Sequence, residues 1–185
     1  MAIREILKIG NPLLRERSRE LAEDELQSPQ LKELISDMFE TMRAARGVGL
    51  AAPQVGELVR VVVLDIRPNP RYPYIESTGE LVLVNPVLTP TGNGRDLDWE
   101  GCLSIDGLRG KVSRWTDLSA TFRIPGGERC HLEVSGFLAR AIQHECDHLD
   151  GILWLDRTED TRSITQVTEF EKYVLPSLLK TPAED

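Results

Sequence analysis

Two histidines that flank a glutamate, in His144-Glu145-Cys146-Asp147-His148, are the residues of this sequence best suited to chemistry. Side chains four residues apart lie on the same side of a helix, so His144 and His148 can bind one metal ion together. Glu145 lies beside them and can accept a proton from a water molecule that such an ion activates. The chain has only three histidines, which makes a chance pairing at this spacing a weak alternative. The spacing predicts a mononuclear metal site in a hydrolase.

Two histidines leave such a site one ligand short, because catalytic zinc-type sites usually have three protein ligands. No histidine follows the motif, and the downstream acids Glu159 and Glu169 lie in a segment without a motif of its own. Cys102 is the stronger candidate, because a thiolate is a strong, soft ligand and the preceding Gly101 allows close backbone approach. We therefore expect Cys102 to complete the site from a distant part of the chain.

The other two cysteines receive no chemical role. An odd count of three, without a signal peptide, argues against a disulfide framework. Cys146 lies between the two histidines but points away from their shared side of the helix, so we interpret it as a packing residue. Cys130 lies in a predicted strand and is assigned nothing further.

Apolar periodicity and turn residues predict the elements that position the motif. Ser28 can cap a helix that starts at Pro29 and ends at Gly47, and Ser135 can cap a second helix, which carries the histidines. The second helix is predicted at 136–149, and strands are predicted at 58–66, 81–88, 118–124 and 129–134. The other predictions are a hairpin turn at 125–128, a turn-rich segment at 89–98, a flexible small-residue run at 47–54 and a surface loop at 67–79.

These elements indicate an α+β fold, in which antiparallel strands pack around a central helix that carries the H-E-x-x-H motif. The length of 185 residues fits a single catalytic domain over 1–185. We expect its core at about 6–173, followed by a polar C-terminal tail.

The charge balance limits the partners of the chain. A formal net charge of −8, from 22 Lys and Arg against 30 Asp and Glu, argues against a general nucleic-acid-binding surface. No stretch approaches the ~20 apolar residues that span a bilayer, and the N-terminus lacks the apolar run of a signal peptide. We therefore expect no membrane partner and a location in the bacterial cytoplasm, with an organelle as the alternative.

Three motifs, taken together and in order, closely resemble those of the peptide deformylase family. They are Gly-Val-Gly-Leu-Ala-Ala-Pro-Gln at 47–54, Glu-Gly-Cys-Leu-Ser at 100–104 and Gln-His-Glu-Cys-Asp-His at 143–148. The resemblance extends from about Ile6 to Tyr173. It implies removal of the formyl group from the N-terminal formyl-methionine of new polypeptides, with release of formate, and a transient association with the ribosome.

The same resemblance implies a role for each residue of the site. Cys102, His144 and His148 would hold one divalent metal ion, with water as the fourth ligand. In the family this ion is commonly Fe²⁺, and Zn²⁺, Ni²⁺ or Co²⁺ can replace it. Glu145 would act as general base and then as general acid. The Gln54 side-chain amide and the Leu103 backbone N–H would stabilise the oxyanion.

The resemblance also implies the residues that bind the substrate. Gly49 would contact its main chain, and Arg109 matches a basic residue near the peptide groove. Val48, Phe137 and Ala141 match positions that line the methionine pocket, although their plain interpretation is core packing. Both interpretations can hold at once.

The sequence also departs from the family pattern in places. Arg140 stands where several bacterial members have an apolar residue, which leaves the rim of the pocket open. Trp99 stands where an acidic residue is common, and we expect it beside the site entrance. Glu100 and Arg114 form a supporting ion pair in this hypothesis. After Tyr173 we find no long basic helix of the kind that docks some relatives on the ribosome.

Two other functions compete with this interpretation. An endopeptidase that uses H-E-x-x-H predicts a third ligand downstream of the helix and no role for Cys102. A non-catalytic metal-binding or ribosome-associated module predicts that Glu145 transfers no proton. The ordered set of three motifs favours the deformylase over both.

Overall fold

Antiparallel strands and four short or medium helices make up the described part of the chain. The structure is a computed structural model, and it describes residues 2–67 and 77–179. Most of the surface loop predicted at 67–79 and the last residues of the polar tail lie outside these ranges.

The helices are α1 Pro29–Ala44, α2 Gly136–Leu149, α3 Val167–Tyr173 and α4 Leu175–Leu178. The strands are β1 Gly49–Ala51, β2 Val61–Ile66, β3 Gly79–Pro90, β4 Arg95–Cys102, β5 Ile105–Trp115, β6 Asp117–Arg123, β7 Arg129–Ser135 and β8 Thr165–Gln166. Short 3-10 helices lie at Pro12–Arg15, Glu25–Gln27, Ala52–Val55, Trp154–Arg157 and Thr161–Ser163.

The strands form two antiparallel sheets within the described ranges. One sheet has five strands in the order β1-β2-β3-β6-β7, and the other has three in the order β4-β5-β8. Helix α2 contacts β1, β2, β6 and β7 of the first sheet and β5 of the second. The predicted α+β class with antiparallel sheets is confirmed.

Both long helices begin where the sequence predicts. Ser28 Oγ accepts from Leu31 N at 3.1 Å, so its capping role is confirmed. Ser135 stands at the N-cap position of α2, but its side chain makes no capping bond. Gly151 follows the end of α2 with a φ of +72°. A Cβ there would lie 2.5 Å from the backbone oxygen of Arg15, so both conformation and space require glycine.

Two further sequence predictions were wrong, and both errors come from tertiary pairing. The run at 47–54 is ordered, because β1 pairs with β2 and the 3-10 helix Ala52–Val55 follows it. The segment 89–98, interpreted as turns, contains the end of β3 and the start of β4. Strand β4 pairs with β5, so Asp96 and Asp98 lie in a strand, whereas Gly92 and Gly94 lie in the bend between β3 and β4.

The core is built from three apolar clusters in the part of the chain that the structure describes. The first cluster packs α2 against β2, β3 and β6, and the second packs α1 against β1 and β2. The third packs the turn end of the β4–β5 hairpin against Leu153 and Trp154. The hairpin and α2 are therefore each anchored in a core, which fixes the relative position of Cys102 and the histidines. No helix of the described ranges is long and apolar enough to cross a membrane.

Candidate metal centre

Three potential ligands converge between α2 and the end of β4. The ligand atoms of Cys102, His144 and His148 all lie within 4.8 Å of one another, and all three residues are buried. Cys102 is the last residue of β4, just before the two-residue turn into β5, where it pairs with Ile105. Its Sγ lies 3.3 Å from His148 Nε2. The structure thus brings the predicted third ligand to the two histidines over more than forty residues of sequence.

The chemistry of this donor set fits a divalent transition metal. Burial alone would raise the pKa of the Cys102 thiol, but the neighbouring imidazoles, His148 foremost, hold this pKa well below its usual value. A thiolate beside two imidazoles is a set of soft ligands. Three protein ligands are also the number found in catalytic metal sites that keep one position open.

The Glu100 carboxylate accepts hydrogen bonds from His144 and from the groups around it. His144 Nδ1 donates to Glu100 Oε2 at 2.8 Å, which leaves the other ring nitrogen for a metal ion. Arg114 donates to the same carboxylate at 2.8 and 2.9 Å, which confirms the predicted ion pair. Burial would raise the pKa of Glu100, but Arg114 and His144 hold it well below its usual value. The imidazole is therefore oriented by a carboxylate that stays ionised.

Glu145, the predicted general base, lies beside His144 on α2. It is buried, and its Oε2 has no hydrogen-bond partner within 2–67 and 77–179. Burial raises the pKa of its carboxyl to about 7. The chain passes close by at Gly49, where a Cβ would lie 2.5 Å from Glu145 Oε1. A side chain at position 49 would displace this carboxylate, so the glycine keeps it in place.

The two predicted oxyanion donors lie next to Cys102. Gln54 is 1% exposed, and its Nε2 donates to Ser104 Oγ at 3.1 Å and lies 3.5 Å from Cys102 Sγ. Its Oε1 accepts from Ala51 N at 2.8 Å, so the amide cannot flip without loss of a buried bond. Leu103 directly follows Cys102 in the β4–β5 turn. Both donors therefore lie at the metal centre.

A small cavity opens beside the metal centre and is lined by most of the residues that were predicted to bind the substrate. Its wall includes His144, Glu145 and Glu100, and the remaining lining residues are Val48, Trp99, Gly101, Phe137, Arg140 and Ala141. Trp99 thus lies at the site, as expected. Arg109 lies apart from this lining: it is 2% exposed, and its guanidinium lies 4.7 Å from the centre of the Phe170 ring.

The sequence did not indicate the supporting contacts of two buried polar residues of the site, Ser104 and Arg140. Ser104 is fully buried and accepts from Gln54. Arg140 donates to Glu100 Oε1 at 2.9 Å and to Val112 O at 2.8 Å, so its charged end supports the metal centre. An arginine on an otherwise apolar helix face was the available signal, because buried arginines are almost always paired.

The remaining cysteines lie away from the ligands. Cys146 is buried in the first apolar cluster, and burial raises the pKa of its thiol. This agrees with the predicted packing role. Cys130 is half-buried on β7.

Comparisons with known proteins agree on one family. The sequence model of the family described as Polypeptide deformylase matches residues 3–163. The peptide deformylase of Leptospira biflexa is 46% identical over 163 residues, covering 88% of this chain and 91% of the relative. Peptide deformylase 1 of Prochlorococcus marinus is 48% identical over 174 residues, covering 92% and 88%. The crystal structure of class I type b peptide deformylase from Acinetobacter baumannii bound to Met-Ala-Ser matches with a TM-score of 0.82 and 37% identity, covering 84% of this chain and 98% of that one.

Proposed function

Because the chain belongs to the peptide deformylase family, we propose a role for each residue of its metal centre. The enzyme removes the N-formyl group from nascent polypeptides. The observation that carries the assignment is the buried set of Cys102, His144 and His148 with Glu145 beside it. The endopeptidase alternative is not favoured, since it gives Cys102 no role.

Cys102, His144 and His148 would hold one divalent metal ion, for which we propose Fe²⁺, with Zn²⁺, Ni²⁺ or Co²⁺ as substitutes. The soft thiolate beside two imidazoles supports a first-row transition metal over Mg²⁺ or Ca²⁺, which prefer oxygen ligands. Such an ion supplies Lewis acidity, which lowers the pKa of water and polarises the formyl carbonyl.

Glu145 carries the protons of the reaction. Its carboxylate accepts a proton from the water whose oxygen attacks the formyl carbon. It then donates that proton to the amine nitrogen as the carbon–nitrogen bond breaks, which releases formate and a free N-terminus. The unpartnered, buried Oε2 supports this role, because no described residue competes for it.

Gln54 and Leu103 stabilise the negative charge that develops on the formyl oxygen. An amide N–H from Gln54 and the backbone N–H of Leu103 donate to this oxygen. Loss of one such donor typically raises the activation barrier by about 3 kcal/mol. Support comes from their location next to Cys102 and from the fixed orientation of the Gln54 amide.

The cavity beside the metal centre takes the methionine side chain of the substrate. Val48, Phe137 and Ala141 supply its apolar surface, and Gly49 contacts the substrate main chain. Arg109 contacts a substrate carbonyl further along the peptide. The relative from Acinetobacter baumannii with Met-Ala-Ser bound supports a pocket for a peptide that begins with methionine.

We also propose that the whole chain forms one catalytic domain with α2 as its central helix. The contacts of α2 with both sheets support this arrangement. Because the substrates are nascent polypeptides, we propose transient contact with the ribosome and action in the compartment where these chains are made.

Metal content tests the ligand set most simply. Cys102→Ala purified anaerobically with Fe²⁺ should retain less than a tenth of the wild-type metal content, because the substitution removes one of the three proposed ligands. Cys146→Ala is the matched control, since it removes a buried thiol from the same helix as the histidines and should retain the metal. Full occupancy in Cys102→Ala would exclude the proposed ligand set.

A further inference from the structure

The N-terminal segment Leu7–Ile9 joins the two parts of the chain that carry the oxyanion donors. Leu7 N donates to Gln54 O at 2.8 Å, and Ile9 N donates to Ser104 O at 2.8 Å. One bond therefore reaches the segment that carries the Gln54 amide. The other reaches the β4–β5 turn, which carries the Leu103 N–H. These two backbone bonds add to the direct bond from Gln54 Nε2 to Ser104 Oγ, which also joins the two parts of the chain.

Lys8, the middle residue of this segment, contacts the turn with its side chain. Its Nζ donates to Leu103 O at 2.8 Å and to Asp106 Oδ1 at 3.0 Å. The Leu103 carbonyl belongs to the same peptide group as the Ser104 N–H. That N–H points to the metal centre and lies 3.4 Å from Cys102 Sγ. The ammonium of Lys8 and the thiol of Cys102 thus lie at opposite ends of one peptide group.

A cation on a carbonyl oxygen polarises its peptide group and makes the N–H a stronger donor, since hydrogen bonds in a chain reinforce one another. Lys8 would therefore strengthen the bond from Ser104 N–H to the thiolate of Cys102. It would also hold the turn in which the Leu103 N–H is placed. Neither effect requires Lys8 to touch the substrate.

The exposure of Lys8 argues against a purely structural role. Its side chain is 51% exposed and that of Asp106 is 69% exposed, so their ion pair alone contributes little to stability. The bond to Leu103 O is what distinguishes Lys8 from other surface lysines, such as the exposed Lys32 on α1.

We propose that Lys8 is a positioning residue of the deformylase site. It acts through the peptide group between Leu103 and Ser104 on the oxyanion donor and on the thiolate ligand. This inference rests on the proposed roles of Leu103 and Cys102.

The test compares Lys8→Met with Lys8→Arg, which keeps the charge, and with Lys32→Met, which makes the same change of net charge on α1. Steady-state kinetics with formyl-Met-Ala-Ser separate kcat from KM. The absorption of the Co²⁺-loaded protein reports the thiolate directly through its sulfur-to-cobalt charge-transfer band. Neither Lys8→Met nor Lys32→Met alters a buried residue, so all variants should fold.

We expect Lys8→Met to lower kcat about three- to tenfold with little change in KM, the range that one hydrogen bond of ordinary strength allows. The charge-transfer band of Lys8→Met should move to longer wavelength. A thiolate that accepts a weaker hydrogen bond from Ser104 N–H is oxidised more easily, so transfer of its electron to cobalt needs less energy. Lys8→Arg should restore both values towards wild type, and Lys32→Met should leave both unchanged.

Two results would overturn the inference. One is a Lys8→Met protein with wild-type kcat and an unshifted band, and the other is a Lys32→Met protein that reproduces the effects of Lys8→Met. A failure of the proposed function is distinguishable from both, because it would show as a wild-type protein without formate release, while the band of the Co²⁺ protein would still report on Lys8.

Discussion

His144 Nδ1 donates to Glu100 Oε2 at 2.8 Å, and this single carboxylate also accepts from Arg114 and Arg140. The contacts join β4, β5 and α2 at one buried point. A carboxylate behind a metal-binding imidazole fixes its tautomer and its orientation. Glu100 therefore couples the folding of the β4–β5 hairpin to the geometry of the metal centre.

Glu100→Gln should weaken metal binding. Glutamine keeps one acceptor oxygen but loses the negative charge that His144, Arg114 and Arg140 share. The imidazole is then held less firmly, so we expect the metal affinity to fall about 10- to 100-fold. Competition with a chelator measures this directly. Glu133→Gln, an exposed change on β7, is the control. Equal chelator competition for Glu100→Gln and wild type would contradict this role.

Phe170 should affect the binding of longer peptides more than the chemical step. It lies on α3, beyond the region that the family model matches, and its ring contacts both Trp99 and Arg109. We expect Phe170→Leu to raise KM for formyl-Met-Ala-Ser about two- to tenfold. This range corresponds to loss of the cation–π contact between the Phe170 ring and Arg109. The KM for formyl-Met alone should stay unchanged.

The matched variant Phe170→Tyr keeps the aromatic ring and should keep the wild-type KM for the tripeptide. Equal KM values of Phe170→Leu and wild type for this substrate would show that the ring has no influence on peptide binding. Phe170→Ala is unsuitable, because removal of a fully buried ring typically costs about 3–5 kcal/mol of stability.

The pH profile should show an acidic limb that belongs to Glu145. Burial raises the pKa of this carboxyl from 4.5 to about 7, and a metal ion at the adjacent histidines lowers it again. Only the deprotonated form accepts a proton, so kcat/KM must fall as the pH falls through this pKa. We expect the midpoint between 4.5 and about 7.

Metal content measured at each pH separates this limb from loss of the ion, because protonation of ligands also releases metal. A kcat/KM that stays constant down to pH 4.5 with full metal occupancy would contradict the role of Glu145.

The sequence predicted the parts of the site that depend on local spacing or on named motifs. The i, i+4 pair His144 and His148 follows from helix geometry, and Cys102 follows from the need for a third ligand. The proposed oxyanion donors Gln54 and Leu103 came from the family resemblance, since nothing in their spacing indicates a shared location.

The residues that the sequence did not predict act through distant contacts. Arg140 reaches Glu100 across 40 positions, and Lys8 reaches Leu103 across 95. The β4–β5 hairpin was missed because its glycines and charged residues have low strand propensity, and cross-strand pairing overrides this preference. Such contacts appear only once the sheets are assembled.

Release of formate tests the central claim most directly. The wild-type protein, purified anaerobically with Fe²⁺, should release formate from formyl-Met-Ala-Ser but no acetate from acetyl-Met-Ala-Ser. Glu145→Gln should keep the metal and lose roughly 10²- to 10⁴-fold in kcat, the usual contribution of a general base. A wild-type protein with full metal occupancy that releases no formate, or a Glu145→Gln protein with unchanged kcat, would contradict the account.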